Sequence, residues 1–250
     1  MHRRQALKFV AGLALCPLCA TKDLAAEVHW SYEGAEGPAN WGNLDAANQV
    51  CTLGAQQSPV DISTSIAAQL PPLTTSWAPR VDTIINNGHT IQVNAGDGST
   101  LAAPDGSYKL VQFHFHHPSE HLINGKGTPM EVHFVHANAT GSLAVVGVLM
   151  RTGKPNAAFH AVVTSMPDKA GPAVKPAAAI DPNGLLPPRL TYYRYSGSLT
   201  TPPCSETVDW LLLTDPIEVA EADVAAFAAL YPMNARPVQK TSRRFVLRSN

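Results

Sequence analysis

Apolar residues along this chain recur at every second position or in short unbroken runs, the spacing of strands rather than of helices. Six segments read in this way: 84–93, 108–115, 130–136, 143–150, 190–195 and 207–213. Asn86-Asn87-Gly88, Asp97-Gly98, Asp105-Gly106 and Asn124-Gly125 act as turn signals among them, because Gly, Asn and Asp tolerate the backbone that tight turns need. Helical spacing is sparse. A short helix is predicted over 156–165 with Asn156 as its N-cap, and an Ala-rich one over 221–230. The Pro-rich stretch 167–188 reads as a surface loop. No repeat, long charge run or linker divides residues 27–250, so they are expected to form one mainly β domain with short helices.

The first 26 residues are unlike the rest. A basic patch (Arg3, Arg4, Lys8) precedes an apolar run from Phe9 to about Ala20, and small residues follow at Ala25 and Ala26. This is the order of an export signal, and the run is short for a membrane span. Arg3-Arg4-Gln5-Ala6-Leu7-Lys8 resembles a twin-arginine signal with Ala6 in place of the usual Phe; a plain secretory signal is the alternative. A periplasmic or secreted protein with no membrane span after signal removal is expected.

The chain has 18 Lys and Arg against 19 Asp and Glu; without the leader's four basic residues and one Asp, 14 face 18, a net charge of −4. This gives no electrostatic case for nucleic-acid binding. Two of the four cysteines, Cys16 and Cys19, fall in the leader. The remaining pair, Cys51 and Cys204, reads as a disulfide in an exported protein, with two buried free thiols as the alternative. Such a bridge would close a loop of about 150 residues and contribute roughly 4–5 kcal/mol in the chain-entropy picture.

The densest chemistry lies in Gln112-Phe-His-Phe-His-His-Pro-Ser-Glu-His121 and Met130-Glu-Val-His-Phe-Val-His136. Strand alternation puts His114 and His116 on one face and Phe113 and Phe115 on the other. The Asn124-Gly125 turn can bring the next strand back beside them, so that His133 completes a three-His set. Three neutral nitrogens with one open position are the catalytic zinc arrangement, although imidazole also suits other transition metals. Alternation places His117 and His136 on the opposite faces of their strands.

Further motifs accompany this set: Gly37-Pro-Ala-Asn-Trp41, Gln57-Ser-Pro59, Asn87-Gly-His89, Ser119-Glu-His121, Tyr195-Ser-Gly-Ser-Leu-Thr-Thr-Pro-Pro203 and Asn234-Ala-Arg-Pro237. Together they span most of residues 27–250 and resemble the α-class carbonic anhydrases, in particular exported bacterial members. The resemblance implies a large, twisted, mostly antiparallel sheet with a conical zinc cleft, and reversible hydration of carbon dioxide to bicarbonate and a proton. It makes His114, His116 and His133 the zinc ligands, backed by Gln112, Asn234 and Glu131 respectively, partners that fix ring tautomers. Bound zinc lowers the pKa of its water to about 7, carbonic anhydrase itself being the reference case for that value, and so supplies hydroxide at neutral pH.

The resemblance also implies that Thr200 orients the hydroxide and donates to Glu120, with Thr201 beside the substrate. Val135, Val145, Leu199, Val208 and Trp210 match an apolar wall for carbon dioxide. His89 matches a proton shuttle acting through water ordered by Tyr32 and Gln92, a role suited to a side chain that titrates near 6.5. Cys51 and Cys204 match a disulfide common in exported members, and sulfonamide and anion inhibitors and a monomer or dimer are expected.

Two rivals remain. One is a non-catalytic relative that keeps the fold as a binding module; such proteins typically lose a zinc ligand, and all three are present here. The other is a His-x-His oxygenase on another β fold, which usually adds a carboxylate ligand and leaves the Thr-Thr-Pro-Pro and Asn-Gly-His motifs unexplained. On the export signal, replacing Arg3 and Arg4 together by Lys is expected to block translocation in a cell-fractionation assay; unchanged export assigns the general secretory route.

Overall fold

Alternating side chains on long paired strands give this sheet two buried faces of different chemistry. The structure, a computed structural model, describes residues 29–250; the leader with its paired arginines, Cys16 and Cys19 lies outside them. Nine strands lie side by side in the order Ile66–Ala68, Leu247–Ser249, Tyr192–Gly197, Val208–Leu213, Leu143–Thr152, Met130–Ala137, Gly106–His116, Ile91–Ala95 and Val81–Asn86. Three short strands extend the sheet to twelve: Ile217–Val219, Thr100–Ala103 and Thr74–Ser76. Most pairs are antiparallel, but Leu143–Thr152 runs parallel to both Val208–Leu213 and Ile217–Val219.

One face is the main core. Phe113, Phe115, Val132, Phe134, Val146, Val148 and Leu211 are buried there, each worth about 1.5–3 kcal/mol in apolar burial. The helices Ala157–Ser165 and Glu221–Leu230 cover it through Phe159, Val162, Val224 and Phe227. Phe115 meets the rings of Phe159 and Phe227 at 5.3 and 6.1 Å. Asn156 caps the first helix as expected, its Oδ1 accepting from Phe159 N at 3.0 Å. Pro167, following Met166, stops it. The opposite face carries the intervening residues: His114 and His116, then Glu131, His133 and Val135, then Val145 and Gly147, then Val208, Trp210 and Leu212.

Two expectations need correction. Segment 84–93 is two antiparallel strands, Val81–Asn86 and Ile91–Ala95, folded back at Asn87-Gly88. Asn87 Oδ1 accepts from the backbone of His89 and Thr90, and Gly88 has φ +88°, which an L side chain rarely adopts. The apolar run masked a turn that its own Asn-Asn-Gly signal marked. The Pro-rich stretch 167–188 is only partly a surface loop. Val174 pairs with Ile84 at the sheet edge, and Ile180 and Leu185 are buried in the main core. Covering an edge strand in this way protects its unpaired backbone groups.

Cys51 and Cys204 are bonded, with Cα atoms 5.0 Å apart, and pack with Trp41. His136, on the core face, is fully buried beside Trp77; its Nδ1–H donates to Ala144 O at 3.3 Å and its Nε2 has no partner among the described residues. Burial pushes its pKa down to about 4. Between pH 6.5 and 4 the unfolded chain therefore binds a proton that the folded chain refuses, so stability falls as pH falls, by up to ~3 kcal/mol. Urea unfolding from pH 7 to 4.5 is expected to show a shallower acid loss in His136→Gln than in the parent; identical pH slopes would refute it.

Candidate metal centre

Antiparallel register sets the site. His114 lies directly opposite His133, and His116 opposite Glu131. On the other side of His133 the neighbouring strand offers Gly147. A Cβ there would lie 2.8 Å from Leu212 Cδ1 and 3.2 Å from Glu131 Oε1, so the missing side chain leaves room for the carboxylate. The three imidazoles converge, with ring centroids 4.5 to 5.4 Å apart and one nitrogen from each within 4.8 Å of the others.

Each ring is held by its other nitrogen. His114 Nδ1 meets Gln112 Oε1 at 2.9 Å, His116 Nδ1 meets the backbone carbonyl of Asn234 at 2.7 Å, and His133 Nε2 meets Glu131 Oε1 at 2.8 Å. These oxygens accept, so the protons sit on those nitrogens and lone pairs remain on His114 Nε2, His116 Nε2 and His133 Nδ1. Burial lowers the pKa of all three, that of His116 to about 4, which keeps the imidazoles neutral as a metal requires. His116 Nε2 is buried without a hydrogen-bond partner among the described residues. An orphaned lone pair among three converging neutral nitrogens fits a divalent ion with nitrogen preference.

Glu131 does more than hold one ligand. Its Oε1 also takes His121 Nδ1 at 2.7 Å, and its Oε2 accepts the backbone N–H groups of Glu120 and His121 at 2.9 and 2.8 Å. Burial alone would raise its pKa; the charges and hydrogen bonds of His121 and His133 outweigh burial and hold it well below the usual carboxylate range. His121, Glu131 and His133 also cluster closely enough for a metal. Their facing atoms are already spent on one another, so that group is a hydrogen-bonded brace.

Glu120 closes the site from the side, with Oε2 3.5 Å from His116 Nε2 and 3.8 Å from His133 Nδ1. Its Oε1 accepts from Arg236 N at 2.8 Å. The Thr200 hydroxyl comes close enough to pull its pKa down, while Oε2 lacks a donor at full hydrogen-bond geometry. Without a cation, burial raises the Glu120 pKa to about 7. Val135, Val145, Leu199, Val208 and Trp210 fall in one apolar cluster on the metal side, and the Trp210 ring lies 4.8 Å from that of His133. Thr201 is half-buried, and its carbonyl accepts from Cys204 N, which ties the disulfide to this loop.

At the rim, the His89 ring stacks on Trp30 with centroids 3.7 Å apart and planes at 6°. Tyr32 packs edge-on against Trp30 and Trp41, and burial and the Glu120 charge raise its pKa. Gln92 is paired in register with His114 and donates to Asn94 Oδ1 at 2.7 Å.

Sequence reasoning assigned no role to Arg236, His121 or Trp30. Arg236 and His121 stood inside quoted motifs, but the Arg236 contacts and the bond from His121 to Tyr195 join segments more than 70 residues apart. For Trp30 no sequence signal existed. His117, unassigned from the sequence, pins the returning chain: its N–H donates to Asn234 Oδ1 and its Nδ1 meets Pro232 O.

Three comparisons bear on this geometry. The family model for eukaryotic-type carbonic anhydrase matches residues 36–250. A carbonic anhydrase of Pectobacterium atrosepticum is 39% identical over 241 residues, 96% of this chain and 98% of that one. The α-carbonic anhydrase of Thermovibrio ammonificans, solved with sulfanilamide, superposes with a TM-score of 0.86 at 40% identity, covering 89% of this chain and all of that one. Dioscorin, solved with ascorbate, shares the fold with a TM-score of 0.81 at 31% identity, over 88% of this chain and 97% of its own.

A twelve-stranded sheet with three converging, acceptor-backed imidazoles thus defines a zinc lyase, and the chain belongs to the eukaryotic-type (α) carbonic anhydrase family. Its activity is the reversible hydration of carbon dioxide, with zinc as cofactor. Glu131→Ala is expected to raise the zinc dissociation constant roughly 10–100-fold in a chelator competition, since His133 loses its orienting acceptor; an unchanged constant would remove Glu131 from ligand orientation.

Proposed function

We propose that His114, His116 and His133 hold the zinc of this enzyme and that Glu120, Thr200 and His89 carry its chemistry. The observation that supports this best is the set of three buried imidazoles whose protons are all committed to outer acceptors. Zinc, when bound there, acidifies water so that a nucleophile exists near neutral pH. Every other step falls to the chain.

Thr200 accepts the hydrogen of the attacking hydroxide and donates its own to Glu120, which fixes the direction of the oxygen lone pair. That relay needs Glu120 ionised, and a nearby dication favours the ionised form over the value near 7 that burial leaves after His133, Arg236 N and Thr200 partly offset it. The backbone N–H of Arg236 holds the carboxylate in place. Val135, Val145, Leu199, Val208 and Trp210 offer carbon dioxide an apolar wall with Thr201 at its edge. The products are bicarbonate and one proton. His89 takes that proton outward through water ordered by Tyr32 and Gln92. Its stack on Trp30 supports this reading, because it holds the ring in one orientation while leaving it partly exposed to buffer.

Sulfonamides and small anions would compete for the same open position. Against the non-catalytic reading, all three imidazoles are present and converge here. Residues 1–26 are read as a removable export signal and 27–250 as the enzyme, which places it in the periplasm or outside the cell; among the described residues no helix is long and apolar enough to cross a membrane.

Purified protein is expected to carry one zinc per chain, to hydrate carbon dioxide in stopped-flow measurements and to be inhibited by sulfanilamide. His89→Ala is expected to slow turnover in weak buffer and to recover with added imidazole. Metal-free, inactive protein would overturn the enzyme, and unslowed His89→Ala would overturn the shuttle alone.

A further inference from the structure

A hollow of about 720 Å³ opens where the C-terminal strand leaves the sheet, and no residue of the metal centre lines it. Leu247–Ser249 pairs with Tyr192–Gly197 only through Tyr193 and Arg194. Before Leu247 no strand pairs with Tyr195-Ser196 on that edge, and the Arg244 side chain meets Ser196 O instead. Ala55, Tyr195, Phe245 and Leu247 supply apolar wall, and Arg194, Arg243 and Arg244 supply charge.

The charges are unevenly matched. Arg194 is clamped on Asp209, both carboxylate oxygens lying 3.0 Å from its Nε. Arg244 is spent on neutral carbonyls, those of Thr241, Ser196, Gln57 and Lys240, and its guanidinium covers the Tyr195 ring at 5.4 Å. Its charge is therefore fixed in place but not neutralised by contact. The one further carboxylate acting on it, Glu206, already accepts from Gln56 N and Gln57 Nε2. Arg243 is exposed and has no ion pair among the described residues. The hollow therefore presents two guanidiniums, those of Arg243 and Arg244, that make no ion pair among the described residues.

Phe245 is 74% exposed and makes no ring contact among the described residues. A single exposed aromatic is ordinary. This one stands between two hollows, because a second of about 410 Å³ shares Ser242, Arg244 and Phe245 with the first. An aromatic face, a fixed guanidinium and an unpaired one, gathered around a volume typical of small-molecule sites, suit one class of ligand.

We infer that this hollow binds an amphipathic organic anion, a flat apolar body stacking on Phe245 with a carboxylate or sulfonate on Arg243 and beside Arg244. The apolar body removes Phe245 and Leu247 from water, and the anion meets two guanidiniums that no carboxylate among the described residues contacts. Neither part alone makes the site, so the ligand must carry both.

The test is calorimetric titration of the zinc-loaded protein with naphthalene-2-sulfonate, with and without saturating sulfanilamide. Saturable one-to-one binding is expected under both conditions. Arg243→Glu and Phe245→Ser are each expected to weaken it at least roughly tenfold, because one reverses the charge at the anion and the other removes the stacking face. Both side chains are exposed and stand outside the catalytic apparatus, so unchanged carbon dioxide hydration certifies their folding. The neutral 2-methylnaphthalene is expected to bind far more weakly. The assignment fails if no saturable binding appears, if sulfanilamide abolishes it, if both variants bind as the parent does, or if the neutral compound binds equally well.

Discussion

Glu131 is a carboxylate with no exposure to water, and four donors converge on it. An isolated charge so placed would cost several kcal/mol. Here each oxygen is met twice, by two imidazoles on one side and two backbone N–H groups on the other. The arrangement joins three things that must be held together: the returning loop at Glu120 and His121, the His133 ring, and, through the His121 ring, the hydroxyl of Tyr195 at 2.7 Å. Tyr195 meets Ser58, which accepts from Ser198 N, two residues before Thr200. One buried charge thereby ties the converging imidazoles to the loop that carries Thr200.

The backbone follows from the same constraint. Glycine at 147 leaves room beside Glu131, and Gly197 lies so close to Ser58 and Trp210 that any Cβ would collide with both. Arg236 works in parallel, its backbone holding Glu120 while its guanidinium reaches the carbonyls of Cys51 and Ser58. The disulfide, the N-terminal segment around Trp41 and the Glu120 carboxyl are thus mutually positioned. Polar groups buried this deeply make the site rigid, because moving any one leaves another unsatisfied.

Much of the site was legible in the chain because strand periodicity is a local property. His-x-His fixes two side chains on one face, and Glu-x-His repeats the device one strand away, so alternation alone separated His114, His116 and His133 from Phe113, Phe115 and Phe134. The same alternation set His136 apart from the ligands. Where the reading slipped, a tertiary cause is visible. Segment 84–93 is apolar at both ends because both halves of a hairpin pack on one core. The 167–188 stretch looks like solvent-facing loop by composition, yet the sheet edge it covers buries Ile180 and Leu185. Short strands such as Ile66–Ala68 and Leu247–Ser249 carry too few residues to show any period.

By itself the sequence determined the alternating faces, the cap at Asn156 and the shared face of His114 and His116, since each depends on residues a few positions apart. Only the tertiary structure decided that Asn234 serves His116 through its backbone carbonyl rather than its side chain, that Arg236 N holds Glu120, and that His121 shares Glu131 with a ligand. It also decided that His89 rests on Trp30 and that three arginines gather around Phe245. Most of those pairings are non-local, the His116–Asn234 and Glu120–Arg236 contacts bridging 118 and 116 residues, and no periodicity encodes a contact whose partners meet only once the sheet has closed.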